Sequence, residues 1–100
     1  MKRMTLVAAL VAATLPSVVA AGTIERACLR SDRGAGQTQT CSCIQRAADM
    51  TLSRSEQGRA AGLLADPDAV QAMRVSRSQT DSAFWARYKR FGEAAQAYCG

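Results

Sequence analysis

The chain has 100 residues, enough for one domain at most, and this length excludes a multidomain enzyme. It contains 13 basic and 8 acidic residues and no histidine. Because histidine is the commonest general base and metal ligand, its absence excludes a Ser-His-Asp triad or a Cys-His catalytic pair within the chain.

Residues 1–21 have the three parts of a secretory signal peptide. A basic pair at the start is followed by an apolar run of about 12 residues and then by small residues that fit the cleavage rule. The run is well short of the roughly 20 residues that span a bilayer. We therefore predict cleavage after Ala20 or Ala21 and an exported protein, periplasmic or secreted. Its mature domain then covers residues 22–100 and is not an integral membrane protein.

The mature domain is predicted to be all-α, a small bundle of four to five short helices. Hydrophobic spacing predicts a first helix over Thr23–Arg30, and the glycine-rich polar segment 33–40 predicts a loop after it. A second helix is predicted from about Cys41 to Leu52. No segment shows the sustained apolar–polar alternation that is typical of a strand.

Helix start signals divide the rest of the chain. Residues Ser53–Glu56 read as a capping box and predict a helix that continues through Leu64. Asp66 stands before a proline and predicts a short fourth helix, since Asp is favoured at the N-cap and Pro at the first helical position. Residues Ser78–Asp81 form a weaker capping-box pattern, with Asp in place of Glu, and predict the start of the last helix.

The last predicted helix, from about Thr80 to Tyr98, carries an aromatic stripe. Its apolar side chains recur at the spacing of one helical face, at Phe84, Tyr88, Phe91, Ala95 and Tyr98. We predict that this helix is the central element and that the stripe and its neighbour contribute the core, with Phe84, Trp85, Tyr88 and Phe91 as its main residues. An exposed ridge that binds a partner is the alternative.

All four cysteines lie in the mature domain, at Cys28, Cys41, Cys43 and Cys99. An even number of cysteines in a short exported chain predicts disulfides, which small domains need because their cores bury little apolar surface. A bridge between Cys41 and Cys43 would be strained, so two pairings remain: 28–41 with 43–99, or 28–43 with 41–99. Sequence order favours the first pairing.

A helical wheel of the second predicted helix separates an apolar arc from a polar arc. Cys41 and Cys43 fall at opposite edges of the apolar arc, so each is expected to reach a different element, and the wheel leaves both pairings open. The polar arc contains Ser42, Gln45, Arg46 and Asp49. We expect the Asp49 carboxylate to face solvent.

The same cysteines have an alternative use as ligands of a soft metal ion. Cys-Ser-Cys at 41–43, together with Met50 or Met73, would suit Cu(I). Zinc patterns are missing from the sequence, because it has no Cys-x2-Cys and no histidine. With the cysteines in disulfides, we expect no metal and no cofactor.

The sequence predicts a non-enzymatic protein. Acid–base chemistry of the glycosidase type needs two carboxylates across a cleft, and the spacing of the acidic residues singles out no such pair. Glu56, Asp66 and Asp81 already have roles at helix starts. A domain of this size also has little room for a cavity beside its core.

Arg87, Lys89 and Arg90 form a basic run on the last predicted helix and are the candidate surface contact. The run wraps around the helix instead of lining one face. Because two of the 13 basic residues lie in the leader, its removal lowers the net charge from +5 to +3. We therefore expect no nucleic-acid binding; contact with anionic lipid headgroups or an acidic protein surface fits the run better.

Several motifs spread over nearly the entire chain resemble those of a family of small exported four-cysteine helical proteins. They are Ala-Cys-Leu-Arg-Ser-Asp-Arg at 27–33, Cys-Ser-Cys-Ile-Gln at 41–45, Phe-Trp-Ala-Arg-Tyr-Lys-Arg-Phe-Gly at 84–92 and a terminal Tyr-Cys. The family occurs in Rhodobacter-like alphaproteobacteria, and its members are often labelled "arginine transporter". The resemblance implies a periplasmic accessory to transport at most, because a mature chain without a membrane-spanning segment cannot be a permease.

Together these patterns predict a small binding or interaction protein of the cell envelope, whose partner is an unidentified envelope protein. The alternative function is binding to an anionic envelope or membrane surface through Arg87, Lys89 and Arg90. Binding of Cu(I) is a third hypothesis.

Overall fold

A computed structural model describes residues 22–100, which form five α-helices. They are α1 (Thr23–Arg30), α2 (Thr38–Thr51), α3 (Arg54–Ala65), α4 (Pro67–Val75) and α5 (Gln79–Cys99). No strand occurs among these residues, so the all-α prediction is confirmed with five helices. The predicted signal peptide, residues 1–21, lies outside the described residues.

The start signals at Ser53 and Asp66 act as the sequence predicts. The Ser53 hydroxyl accepts a hydrogen bond from the Glu56 backbone N–H at 3.2 Å, and the Glu56 carboxylate accepts one from the Ser53 N–H at 2.9 Å. The Asp66 carboxylate accepts from the Asp68 N–H at 3.0 Å, and Pro67 is the first residue of α4. Both helix starts are therefore satisfied by side chains close in sequence.

Only half of the predicted capping pattern forms at the start of α5. The Ser78 hydroxyl accepts from the Asp81 N–H at 3.4 Å, as an N-cap residue should. The Asp81 carboxylate does not return to Ser78; it accepts a hydrogen bond from the Ser76 hydroxyl at 2.6 Å. Asp is one methylene shorter than the Glu of a complete capping box, and this carboxylate instead joins the polar turn between α4 and α5.

Helix α2 begins at Thr38, three residues before the predicted start at Cys41. The preceding loop is short because it is closed by its own backbone bonds, with the Gln37 N–H donating to the Gly34 carbonyl at 2.9 Å. Gly36 has a φ of 76°, a left-handed conformation that favours glycine. The Cys41 N–H then donates to the Gln37 carbonyl, which extends the helix through the polar residues 38–40.

The core lies where α2 packs against α1 and α5 and where α3 packs against α1. Its buried members are Ile24, Ala47, Ala48, Leu52, Ala60, Leu63, Phe84 and Phe91. Three of these eight are alanines with at most 1% of their surface exposed, and such small side chains let the helix backbones approach closely. The two phenylalanines of α5 supply much of the core's volume.

The predicted aromatic core is confirmed at Phe84 and Phe91, holds only in part at Trp85 and Tyr88, and is wrong at Tyr98. Phe84 and Phe91 are buried, whereas Trp85 and Tyr88 are half-buried and stack on each other with ring centroids 5.6 Å apart. Tyr98 is 71% exposed and is not part of the core. The next residue, Cys99, is bridged to Cys43 of α2 and fixes which face of the last helical turn points inward. Tyr98 lies about 100° around the helix from Cys99.

Two disulfides connect α2 to the helices on either side of it. Cys28 pairs with Cys41 and joins α1 to α2, with their Cα atoms 5.5 Å apart. Cys43 pairs with Cys99 and joins α2 to α5, with their Cα atoms 5.8 Å apart. The prediction of two disulfides is confirmed, and the pairing is the one that sequence order favours. Both Cα distances lie in the ordinary range for a disulfide.

Candidate binding groove

The structure divides the predicted basic run of Arg87, Lys89 and Arg90. Arg87 makes an ion pair with Glu56 and so links α5 to α3. Lys89 and Arg90 are exposed on α5. Successive residues are about 100° apart around a helix, so Lys89 lies about 200° from Arg87 and the three do not form one patch.

A second ion pair links α3 to the start of α5 and belongs to the packing of the fold. Arg59 pairs with Asp81, and the Arg59 guanidinium lies 4.7 Å from the centre of the Phe84 ring, in a cation–π contact. The hydrogen bond from the Ser76 hydroxyl, and to a lesser extent the one from Arg59, lowers the pKa of Asp81 below its ordinary 3.8. This cluster holds the turn between α4 and α5 against α3.

A polar network that sequence analysis missed joins α1, α2 and α3. The side-chain oxygen of Gln45 accepts hydrogen bonds from the backbone N–H groups of Ile24 and Glu25, both at 2.9 Å. The N-cap residue of α1, Gly22, has no side chain to cap it, so Gln45 of α2 supplies the cap from another helix. A cap across helices leaves no local pattern, and the wheel showed only that Gln45 lies on the polar arc.

The inner end of the network is Gln57, of which only 8% is exposed. Its side-chain oxygen accepts from Gln45 Nε2 at 2.8 Å, and its Nε2 donates to Asp49 Oδ1 at 3.1 Å and to the Leu52 carbonyl at 3.4 Å. No buried side-chain nitrogen or oxygen within residues 22–100 lacks a partner. The shallow cavity of about 510 Å³ above this network therefore lies over satisfied groups, and the network is structural.

The larger cavity, about 1010 Å³, lies between α1, the loop that follows it, α2 and the end of α3. We call it the arginine groove and define it by two sets of lining side chains. The exposed set is Arg26, Arg30 and Arg33. The second set is apolar and half-buried, and consists of Ala27, Ile44, Ala61 and Leu64. Guanidinium groups thus lie at the rim, and aliphatic groups form the floor.

Helix α1 places two of these arginines side by side. Arg26 and Arg30 are four residues apart, so their side chains lie on the same face, one turn apart. The opposite face carries Ile24 and Cys28, which are buried and hold α1 against the core. This pairing of a buried face with a basic face is visible in the sequence of α1, where Arg26 and Arg30 are separated by apolar residues and do not form a consecutive basic run like that of α5.

The loop after α1 brings a third arginine to the groove. The Ser31 hydroxyl donates to the Cys28 carbonyl at 2.6 Å and accepts from the Gly34 N–H at 3.1 Å, which folds the chain back on the end of α1. Arg33 lies within this folded loop and lines the groove beside Asp32. The loop is therefore fixed on both sides of the Arg33 backbone.

The groove has a net charge of +2, from three arginines and the single carboxylate of Asp32. None of the three arginines forms an ion pair with another residue of the described range 22–100, whose two ion pairs both join α3 to α5. Guanidinium groups are rigid forks of N–H donors and are well suited to carboxylates and phosphates. The groove thus offers positive charge and apolar surface in one concavity.

Neither a metal site nor a membrane span is found in the part of the chain that the structure describes. Residues 22–100 contain no group of three or more Cys, Asp or Glu side chains that could hold a metal ion, and their four cysteines are all in disulfides. No helix in this range is long and apolar enough to cross a membrane.

Comparison of the sequence with protein-family models gave no match, and comparisons with curated proteins and with solved structures gave none either.

Proposed function

We propose that this chain is a non-enzymatic binding protein of the periplasm and that the arginine groove is its binding site. The observation that carries the proposal is the groove itself, in which three exposed arginines border half-buried aliphatic side chains. A concave, mostly apolar site with a few charged groups is the usual composition of a ligand site. The surface formed by Lys89 and Arg90 on α5 offers charge without such a concavity.

The proposed location is supported by the two disulfides and by the leader-like sequence of residues 1–21. Disulfides form and persist in oxidising compartments, of which the bacterial periplasm is one. A small binding protein in that compartment would serve as an accessory to envelope transport by holding a ligand before or after it crosses the membrane. This role agrees with the resemblance to the exported four-cysteine family.

A second candidate function is binding to an anionic envelope surface through α5. Lys89 and Arg90 are exposed, and these two charges are available to anionic headgroups. Arg87 is engaged with Glu56 and contributes less to such a surface. The third hypothesis, Cu(I) binding, would first require reduction of the disulfides, because thiolates are the ligands that this ion prefers.

Two matched double variants separate the first two functions. One is Arg26→Gln with Arg30→Gln in the groove, and the other is Lys89→Gln with Arg90→Gln on α5. Each removes two exposed positive charges and leaves both ion pairs in place. The full chain is exported with its own leader, purified from the periplasm and incubated with envelope extract, and the retained molecules are identified by mass spectrometry.

We expect the groove variant to lose the retained ligand and the α5 variant to keep it. Salt-sensitive binding to anionic vesicles that only the α5 variant loses would support the second function instead. Retention that is the same for wild type and both variants would contradict both functions, because neither charged surface would then be the binding site.

A further inference from the structure

We infer that the arginine groove binds a single-chain amphiphile with an anionic head, a fatty-acid carboxylate. This inference depends on the proposed function, since it names the ligand of the same site. Its basis is that one concavity contains both a cluster of guanidinium groups and an aliphatic floor.

The head of such a ligand is matched by α1. Arg26 and Arg30 are one helical turn apart, with about 5–6 Å between Cβ atoms at this spacing, so two long guanidinium side chains can converge on one carboxylate. Arg33 approaches from the loop at the end of the same helix. Neither α1 nor α3 places a carboxylate in the groove, and Asp32 leaves the net charge at +2. Charge complementarity therefore favours an anion.

The tail is matched by the floor. Ile44 from α2 and Leu64 from α3 lie half-buried in the groove, and so do Ala27 from α1 and Ala61 from α3. A small inorganic anion would use the arginines and leave these aliphatic groups in water. An uncharged apolar ligand would cover the floor and leave the guanidinium groups without a partner. An amphiphile satisfies both halves of the site.

The size of the groove favours a small molecule over a protein. Its volume of about 1010 Å³ is at the upper end of the roughly 300–1,000 Å³ that is usual for small-molecule sites. A stable protein partner needs a broader surface, about 800 Å² on each side. The remaining side chains that line the groove are mixed, with Thr23, Gln37 and Thr40 as well as Ala65 and Pro67, and the lining as a whole exposes less area than such an interface needs.

The test is isothermal titration calorimetry of the delipidated periplasmic protein with laurate below its micelle concentration. We expect saturable binding that weakens about tenfold for each two methylenes removed from the chain. Acetate has the head without the tail, and dodecyl maltoside has a tail of the same length without the charge; we expect both to bind at least tenfold more weakly than laurate. The groove variant Arg26→Gln with Arg30→Gln should weaken laurate binding at least tenfold. The α5 variant Lys89→Gln with Arg90→Gln should match wild type.

Circular dichroism controls for folding, and Arg33→Gln, in the exposed loop, is a second groove variant with a smaller expected loss. Absence of laurate binding overturns the inference, as does equal binding of laurate and dodecyl maltoside or unchanged binding by the groove variants. The proposed function is tested separately: a retained acidic envelope protein that only the groove variant loses would support the binding groove and overturn the amphiphile.

Discussion

The side-chain amides of Gln45 and Gln57 meet head to tail, with Gln45 Nε2 donating to Gln57 Oε1 at 2.8 Å. Through its other end Gln45 caps α1, at the N–H groups of Ile24 and Glu25. One glutamine therefore connects three helices with polar contacts, close to a core in which three of the eight buried side chains are alanines.

Replacement of Gln45 should destabilise the protein more than its partial exposure suggests. Gln45→Ala removes the cap of α1 and one partner of the buried Gln57, and we expect the free energy of unfolding to fall by about 2–3 kcal/mol. Urea denaturation measures this change. Gln71→Ala, at an exposed position in α4, is the matched control and should stay within about 0.5 kcal/mol of wild type. Equal effects of the two substitutions would show that the network contributes little.

The two disulfides should differ in their contributions to stability. Cys43 and Cys99 are separated by 56 residues, and Cys28 and Cys41 by 13. In the chain-entropy model, loss of the longer loop costs about 4 kcal/mol and loss of the shorter one about 3 kcal/mol. Urea denaturation of the paired serine variants measures both values. The reverse order would mean that the short bridge acts on the native state, for example by holding α1 in place.

Substitution of two glycines by alanine should change the stability of the protein in opposite directions. Gly92 is inside α5, and a Cβ there would meet nothing within 4 Å, so Gly92→Ala should stabilise the protein by about 0.5–1 kcal/mol. A Cβ on Gly34 would lie 1.8 Å from the Cys28 carbonyl oxygen, so Gly34→Ala must displace the loop and lower the Tm. Thermal unfolding of the two variants checks both directions. A stabilising Gly34→Ala would contradict the described loop.

Acid should destabilise the protein through two carboxylates. The pKa of Glu56 lies below its ordinary 4.5, mainly because of the hydrogen bond from the Ser53 backbone N–H and secondly because of Arg87. The pKa of Asp81 lies below its ordinary 3.8, mainly because of the hydrogen bond from the Ser76 hydroxyl and secondly because of Arg59. A lowered pKa in the folded state means that the stabilisation is complete above the ordinary pKa and is lost as the pH falls through the lowered one. We expect the Tm to fall as the pH decreases below about 4.5.

The double variant Glu56→Gln with Asp81→Asn isolates this effect. It should be less stable than wild type at pH 6, and its Tm should depend less on pH between pH 5 and about pH 3. An acid-induced fall in Tm that is just as steep in the double variant would assign the sensitivity to other groups.

The features that sequence predicted well are those decided within a few residues. Ser53 finds its partner three positions away, and Asp66 precedes a proline, so both helix starts were visible as local patterns. Gln45 caps a helix that begins 22 residues earlier in the chain, and a wheel of one helix cannot show this. The wheel likewise placed Asp49 at the solvent side but could not show that it accepts hydrogen bonds from two glutamines.

The arginine groove was not predicted from the sequence, for the same reason. Arg87, Lys89 and Arg90 are nearly consecutive in the sequence, but neighbouring residues of a helix point in different directions. Arg26 and Arg30 are separated in sequence and share a face, and the loop adds Arg33. Their common groove depends on how α1 lies on α2 and α3, which pairwise spacing does not determine.

Helix α1 is only eight residues long and is clamped at both ends, by Gln45 at its start and by the Cys28–Cys41 disulfide near its end. A helix this short would have little order by itself. Its two arginines are nevertheless held at a constant spacing on a rigid support. The conformational entropy of α1 is lost when the chain is oxidised and folds, and little remains to be lost when the groove is filled. The Cys28–Cys41 disulfide and the Gln45 cap thus fix the geometry of the groove before anything binds there.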